Sequence, residues 1–188
     1  MHEYFINDQE RKAYILKAKE NLNSFKMDKE LQKFFGCSRI NILAYGKPGV
    51  GKSSLVNAFF SSLSEQYTQI AETSSSQISF TKKMRRFSIN KTGKLNIVDI
   101  FGLVGDNFSN IFTQILNGQI RDGYQEGDKL TNNNQIFTPT INDKIHLVML
   151  VVDSIDVDKK GQLQEYEKKI IEIKNLGKTN YLVFLLIF

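Results

Sequence analysis

The sequence predicts a three-layer α/β domain around a mostly parallel sheet, and three observations carry that expectation. From Ser38 onward, apolar runs alternate with amphipathic segments, the pattern of strands joined by crossover helices. A glycine-rich stretch, Gly46-Lys47-Pro48-Gly49-Val50-Gly51-Lys52-Ser53, lies between one such run and one such segment. A later strand-like run, Leu95-Asn96-Ile97-Val98, ends in Asp99 and is followed by Ile100, Phe101 and Gly102.

The elements follow in order. Residues 8–35 carry no Gly or Pro, and Tyr14, Ile15, Leu16, Ala18, Leu22, Phe25, Leu31 and Phe34 recur at near-helical spacing. This predicts a leader helix packed on the domain, broken near Asn21 to Ser24 and stopped at Gly36. It divides the chain into a helical leader, 1–36, and an α/β domain, 37–188. The run Ile40-Asn41-Ile42-Leu43-Ala44-Tyr45 reads as a buried strand, and Ser54-Leu55-Val56-Asn57-Ala58-Phe59-Phe60 as a helix ending near Leu63.

Between them stands G-x-x-x-x-G-K-S, the phosphate-binding loop pattern in its required strand-to-helix setting. Glycines let the backbone turn its N–H groups toward an oxyanion, and the helix N-terminus adds partial positive charge. Gly46, Lys47, Pro48, Gly49, Val50, Gly51, Lys52, Ser53 and Ser54 are therefore the candidate nucleotide-binding residues. Lys52 is placed to reach the β- and γ-phosphates, and Ser53 to offer a hydroxyl to Mg²⁺.

Downstream, Met84-Arg85-Arg86-Phe87-Ser88-Ile89 and the run ending at Asp99 read as a hairpin across Asn90-Lys91-Thr92-Gly93. D-x-x-G alone says little. After the strand that follows a phosphate loop, it places Asp99 to hold Mg²⁺ through a water and Gly102 N–H to meet a γ-phosphate. The competing reading makes Asp99 a helix cap for the segment beginning near Asp106. Strands over 144–152 and 181–188 flank a helix over 159–174. Residues 118–143 are long, polar and irregular, with Thr131-Asn132-Asn133-Asn134-Gln135 at their centre, a composition that favours disorder. His146 is expected at a sheet edge or packed in the sheet rather than as a ligand.

The 188 residues suffice for one core, and no N-terminal signal pattern is present. The single cysteine, Cys37, excludes an internal disulfide and fits a reducing, cytoplasmic compartment. It reads as a small semi-buried residue rather than a nucleophile. The net charge is +5, with local clustering at Lys82, Lys83, Arg85, Arg86, Lys91 and Lys94. Such a run more often forms the solvated face of an edge hairpin than an anion-binding surface. Nucleic acid is not expected as a partner, and a membrane surface is the weaker option.

The stretch 46–53, Ser79-Phe80-Thr81-Lys82-Lys83 and Asp99-Ile100-Phe101-Gly102 together resemble a small GTPase domain. The similarity is best to the interferon-induced protein 44-like family of P-loop GTPases, with septin-like and immunity-associated GTPases as competitors. The resemblance implies GTP as ligand, Mg²⁺ as cofactor, a protein partner and homo-oligomers, and a role in defence. It implies Thr81, with Thr73 as alternative, as the switch threonine that completes the metal shell beside Ser53 and Asp99. Segments 65–81 and beyond Gly102 are then expected to order with a γ-phosphate. Leu103 stands where related enzymes carry a water-orienting glutamine, which implies slow hydrolysis and leaves no catalytic residue assigned. The guanine-reading motif is expected after the strand at 181–188, so the sequence reads as a domain lacking its last strand and helix. Two rivals stand beside the GTP switch: a nucleotide-binding module open to ATP, and a non-catalytic interaction protein.

Overall fold

The computed structural model describes residues 8–25, 27–64, 66–71, 82–102, 108–157, 161–176 and 182–187. Among them run α1 (Asp8–Ser24), α2 (Lys29–Phe35), β1 (Ile40–Tyr45), α3 (Lys52–Ser64), β2 (Arg85–Ser88), β3 (Leu95–Asp99), α4 (Phe108–Leu116), β4 (Leu147–Val152), α5 (Ser154–Val157), α6 (Gln162–Leu176) and β5 (Leu182–Ile187). The five strands lie in the order β2-β3-β1-β4-β5. Among the five described strands the β2–β3 pair is antiparallel, while β1 pairs in parallel with β3 and β4, and β4 with β5. The expected α/β architecture is present.

Strand parity sorts the cores. Leu43, Tyr45, Val98, Val148 and Leu150 face a cluster with Phe112, Leu116 and Ile173 of α4 and α6. Ile97, Phe87 and Leu95 face the opposite way, against Val56, Phe60 and Leu63 of α3. Because successive side chains alternate across a strand, Asp99 shares the face of Ile97 and is carried toward α3. That parity positions the site.

The leader departs from its expected form in two ways. α1 ends at Ser24 and α2 begins at Lys29, so the break lies just beyond the position read from sequence, and Met27 turns inward to pack with Cys37 and Ile40. Tyr14 and Leu16 are exposed rather than packed, while Leu22, Phe25 and Met27 join the two minor clusters. Cys37 is buried, as its bland reading required.

The polar stretch 118–143 is the larger correction. Composition favoured disorder, yet it is laced by hydrogen bonds, since short polar side chains here close tight turns instead of remaining solvated. Ile136 N donates to Gln119 O at 2.7 Å and Arg121 N to Asn134 O at 2.9 Å. Asn134 Oδ1 accepts from Thr131 N, and Asp143 Oδ2 from Thr140 N and Oγ1. Ile120 and Tyr124 are buried in the main core. The basic hairpin is largely the exposed edge surface expected of it, but Arg86 is half-buried, with Nη2 donating to Asp143 O at 3.4 Å.

At the end of the sheet opposite the phosphate loop lies a buried polar knot. Asn41 donates through Nδ2 to the carbonyls of Asn142 and Lys144 and accepts from Asn96 Nδ2. Its backbone N–H donates to His146 Nδ1 at 3.0 Å. An acceptor nitrogen must be unprotonated, and burial pushes the imidazole down to about 4, with Arg86 and Lys144 adding and the Ile141 backbone opposing. The unfolded chain binds that proton near pH 6.5. His146 therefore stabilises the fold fully above pH 6.5, and its contribution is lost as pH falls toward 4. The expected loss is on the order of 2–3 kcal/mol. The buried Asp99 carboxyl, pushed up to about 6, works in the opposite direction over the same range. The readout is therefore the difference between parent and His146→Asn, which keeps an acceptor without a titration: in denaturant unfolding between pH 7 and 4 the parent should lose stability relative to the variant. An unchanged difference across that range would remove His146 as a source of pH dependence.

Candidate phosphate and metal site

The loop 46–53 joins β1 to α3 where the parallel strands end. Gly51 has φ of +95° and Gly49 of +77°, left-handed values that glycine adopts without strain. The Gly51 carbonyl then accepts the first helical bond, from Leu55 N at 2.8 Å. Lys52 and Ser53 thereby open α3 with both side chains buried. The Lys52 ammonium donates to the carbonyls of Gly46, at 3.0 Å, and Lys47, at 2.9 Å. Burial holds its pKa below the usual lysine value, against the opposing pull of Asp99.

Ser53 Oγ donates to Asp99 Oδ2 at 2.7 Å. Asp99 is 1% exposed, and burial pushes its carboxyl up to about 6, against the Ser53 hydroxyl, Lys52 and the Ile100 backbone N–H. Its Oδ1 is buried without a hydrogen-bond partner. The helix-cap reading of Asp99 is thus set aside: the carboxylate joins β3 to the start of α3. Gly102, three residues on, is buried against Pro48, and a Cβ there would overlap the proline ring. Only glycine lets the end of β3 approach the loop this closely. A groove of about 310 Å³ lies beside Asp99, walled by Ile70, Ala71, Lys83, Arg85, Phe87 and Asp122.

The predicted residues thus converge. Lys52, Ser53 and Asp99 come together at the start of α3, and Gly102 presses on Pro48 of the loop; Ser54 sits exposed on the first turn of α3. Thr81, Thr73 and Leu103 lie outside the described residues. Asn57 and Tyr166 carried no sequence signal. Asn57, one turn after Ser53, accepts through Oδ1 from Ile70 N and Ala71 N and donates through Nδ2 to Ala71 O. It therefore anchors the chain immediately before the segment containing both threonines. The Lys47 ammonium lies 5.8 Å from the Tyr166 ring centroid of α6, a cation–π contact that ties the loop's second residue to the α6 layer.

A buried orphan carboxylate oxygen beside a hydroxyl suits a hard divalent cation, which takes oxygen ligands. No cluster of three or more His, Cys, Asp or Glu that could hold a metal occurs among the described residues. A metal here would thus draw its other ligands from phosphate and water, as Mg²⁺ does at nucleotide sites.

A phosphate loop, an aspartate at the neighbouring strand end and a glycine pressed on the loop define the P-loop nucleotide-binding class. The sequence profile of the family described as 50S ribosome-binding GTPase matches residues 41–186. The chain belongs to that GTPase family. It is similar to interferon-induced protein 44 of Pan troglodytes, 33% identical over 132 residues, or 64% of this chain and 30% of that protein. The same protein of Homo sapiens is 34% identical over 131 residues, 63% of this chain and 30% of the relative. Interferon-induced protein 44-like of Homo sapiens is 29% identical over 179 residues, covering 87% and 38%. The resemblance read from the motifs is met by these relatives, and the chain spans about a third of their length.

Proposed function

We propose that this domain binds GTP with Mg²⁺, hydrolyses it slowly and serves as a nucleotide-dependent switch in the cytoplasm, in a defence response, a setting supported by its similarity to proteins named as interferon-induced. The observation that carries the reading is the convergence of Lys52, Ser53 and Asp99. Lys52 binds and orients phosphate oxygens by exchanging two neutral carbonyl acceptors for anionic ones, a stronger type of hydrogen bond. Ser53 and Asp99 hold the cation, which when bound neutralises charge that develops on the phosphates. Gly102, close-packed on Pro48, keeps its backbone within reach of the loop, so that segment can respond to a γ-phosphate. Slow turnover follows from Leu103, an apolar side chain that orients no water. Among the described residues no helix is long and apolar enough to cross a membrane.

The test is titration of the chain with a fluorescent GTP analogue, with and without Mg²⁺, alongside phosphate release. Saturable binding that tightens at least about tenfold with Mg²⁺ and phosphate release below about one turnover per minute are expected. Equal competition by ATP would make it a module of relaxed base specificity. No binding of either nucleotide would leave the interaction-protein reading.

A further inference from the structure

We propose that Tyr124, in the loop between α4 and β4, is a positioning residue that couples the two γ-phosphate-responsive segments. The proposal rests on the nucleotide-switch reading above. Those segments join the sheet at two places: just before β2, where Lys82 follows Thr81 in sequence, and after β3, at Ile100 to Gly102. Among the described residues, the stretch around Tyr124 touches both.

On the β2 side it adds a short antiparallel ladder to the sheet edge. Glu126 N donates to Lys82 O at 2.9 Å, Met84 N to Tyr124 O at 2.8 Å and Gly123 N to Met84 O at 2.8 Å. Lys83 and Gln125 form a β-bridge, and Arg86 N donates to Asp122 Oδ1 at 2.8 Å. On the β3 side the Tyr124 ring packs on Phe101, with centroids 6.0 Å apart and planes tilted by 41°. Both rings are buried, and the Tyr124 hydroxyl donates to Asp128 O at 3.1 Å. Phe101 immediately precedes Gly102, which is itself fixed against Pro48.

One residue thus pairs its backbone with the entry to β2 and its side chain with the exit of β3. Close-packed interiors do not deform continuously. A shift of Gly102 toward a γ-phosphate moves Phe101 against Tyr124, and Tyr124 cannot follow without disturbing its ladder to residues 82–84. The second segment's state is in this way conveyed to the first, and by linkage the reverse holds as well. Neither the phosphate loop nor the metal donors are part of this contact, so losing it should spare diphosphate binding.

The experiment compares the parent, Tyr124→Phe and Tyr124→Leu. Affinities for GDP and a non-hydrolysable GTP analogue are measured with Mg²⁺, with hydrogen exchange followed over residues 82–86 in each complex. In the parent and in Tyr124→Phe, which keeps the ring, exchange at 82–86 should slow on replacing diphosphate by triphosphate. Tyr124→Leu should bind GDP within about twofold of the parent, lose at least about fivefold in triphosphate-over-diphosphate preference and show no exchange difference at 82–86. Should that variant fail to fold, Phe101→Leu removes the same ring contact from the other side and carries the same expectation. An unchanged preference and exchange difference in the leucine variants, in a parent that binds both nucleotides, overturns the coupling alone. A parent that binds neither nucleotide overturns the switch reading and this inference with it.

Discussion

Alanine at Lys52 is expected to weaken binding of Mg²⁺ and nucleoside triphosphate by about 100-fold or more, with little change in the stability of the unliganded fold. The size of the effect follows from what the ammonium exchanges. It is buried and already satisfied by two carbonyls, at 3.0 and 2.9 Å, so the ligand does not rescue an unpaired charge. The gain is the difference between neutral and anionic acceptors plus attraction to several phosphate charges, on the order of 3 kcal/mol rather than tens. Stability changes less because opposing effects meet. The variant escapes the cost of burying a cation, a cost visible in the lysine's depressed pKa, but leaves two loop carbonyls without their donor. Asp99 also loses a neighbouring cation that favours its charged form, which should further weaken Mg²⁺ binding. Fluorescence titration measures the affinity. Unfolding in excess nucleotide gives a second readout: at 100 times the parent's Kd, ligand stabilises the parent by about 2.7 kcal/mol and the variant far less. Equal affinities in the presence of Mg²⁺ would show that the loop does not hold phosphate.

Much of the site was legible because its chemistry is local in sequence. The phosphate loop needs glycines at fixed spacing, a lysine and a serine between a strand and a helix, and each of these is a pattern of near neighbours. Asp99 was legible for a related reason: its place at the end of a strand that follows the loop, with a glycine three residues on, points it to the loop. What sequence missed depends on contacts between distant residues. Nothing near Asn57 announces that its amide will bind the backbone of Ile70 and Ala71. Composition failed outright for 118–143, since Asn, Thr and Asp suit both a solvated coil and a stack of side-chain-closed turns. What distinguishes the two is the burial of Ile120 and Tyr124, and this depends on the core that receives them. The leader erred the other way: helical spacing among Tyr14, Ile15 and Leu16 forecast a buried face, yet Tyr14 and Leu16 are exposed.

Gly118 offers the sharpest test of whether that ordered loop belongs to the cooperative fold. Its φ is +72°, and a Cβ there would lie 2.5 Å from Asp143 C, 2.6 Å from its O and 2.7 Å from Lys144 N. Those atoms are backbone and cannot swing aside as a flexible side chain would. The neighbouring bonds fix them further: Ile145 N donates to Leu116 O at 3.0 Å, and the Lys144 carbonyl accepts from the buried Asn41. Gly118→Ala must therefore carry both left-handed strain and a displaced backbone, expected to cost about 2–4 kcal/mol. Gly123→Ala and Gly127→Ala separate the two contributions. Each has a positive φ, +87° and +84°, but open space where the Cβ would stand, so strain alone should cost about 1 kcal/mol. Urea unfolding of the three variants gives the comparison directly. If Gly118→Ala costs no more than the other two, the approach of Gly118 to Asp143 does not constrain the fold. If it costs more and the unfolding slope stays that of the parent, the loop and the sheet unfold as one unit, and the polar stretch that composition assigned to disorder is part of the core's own architecture.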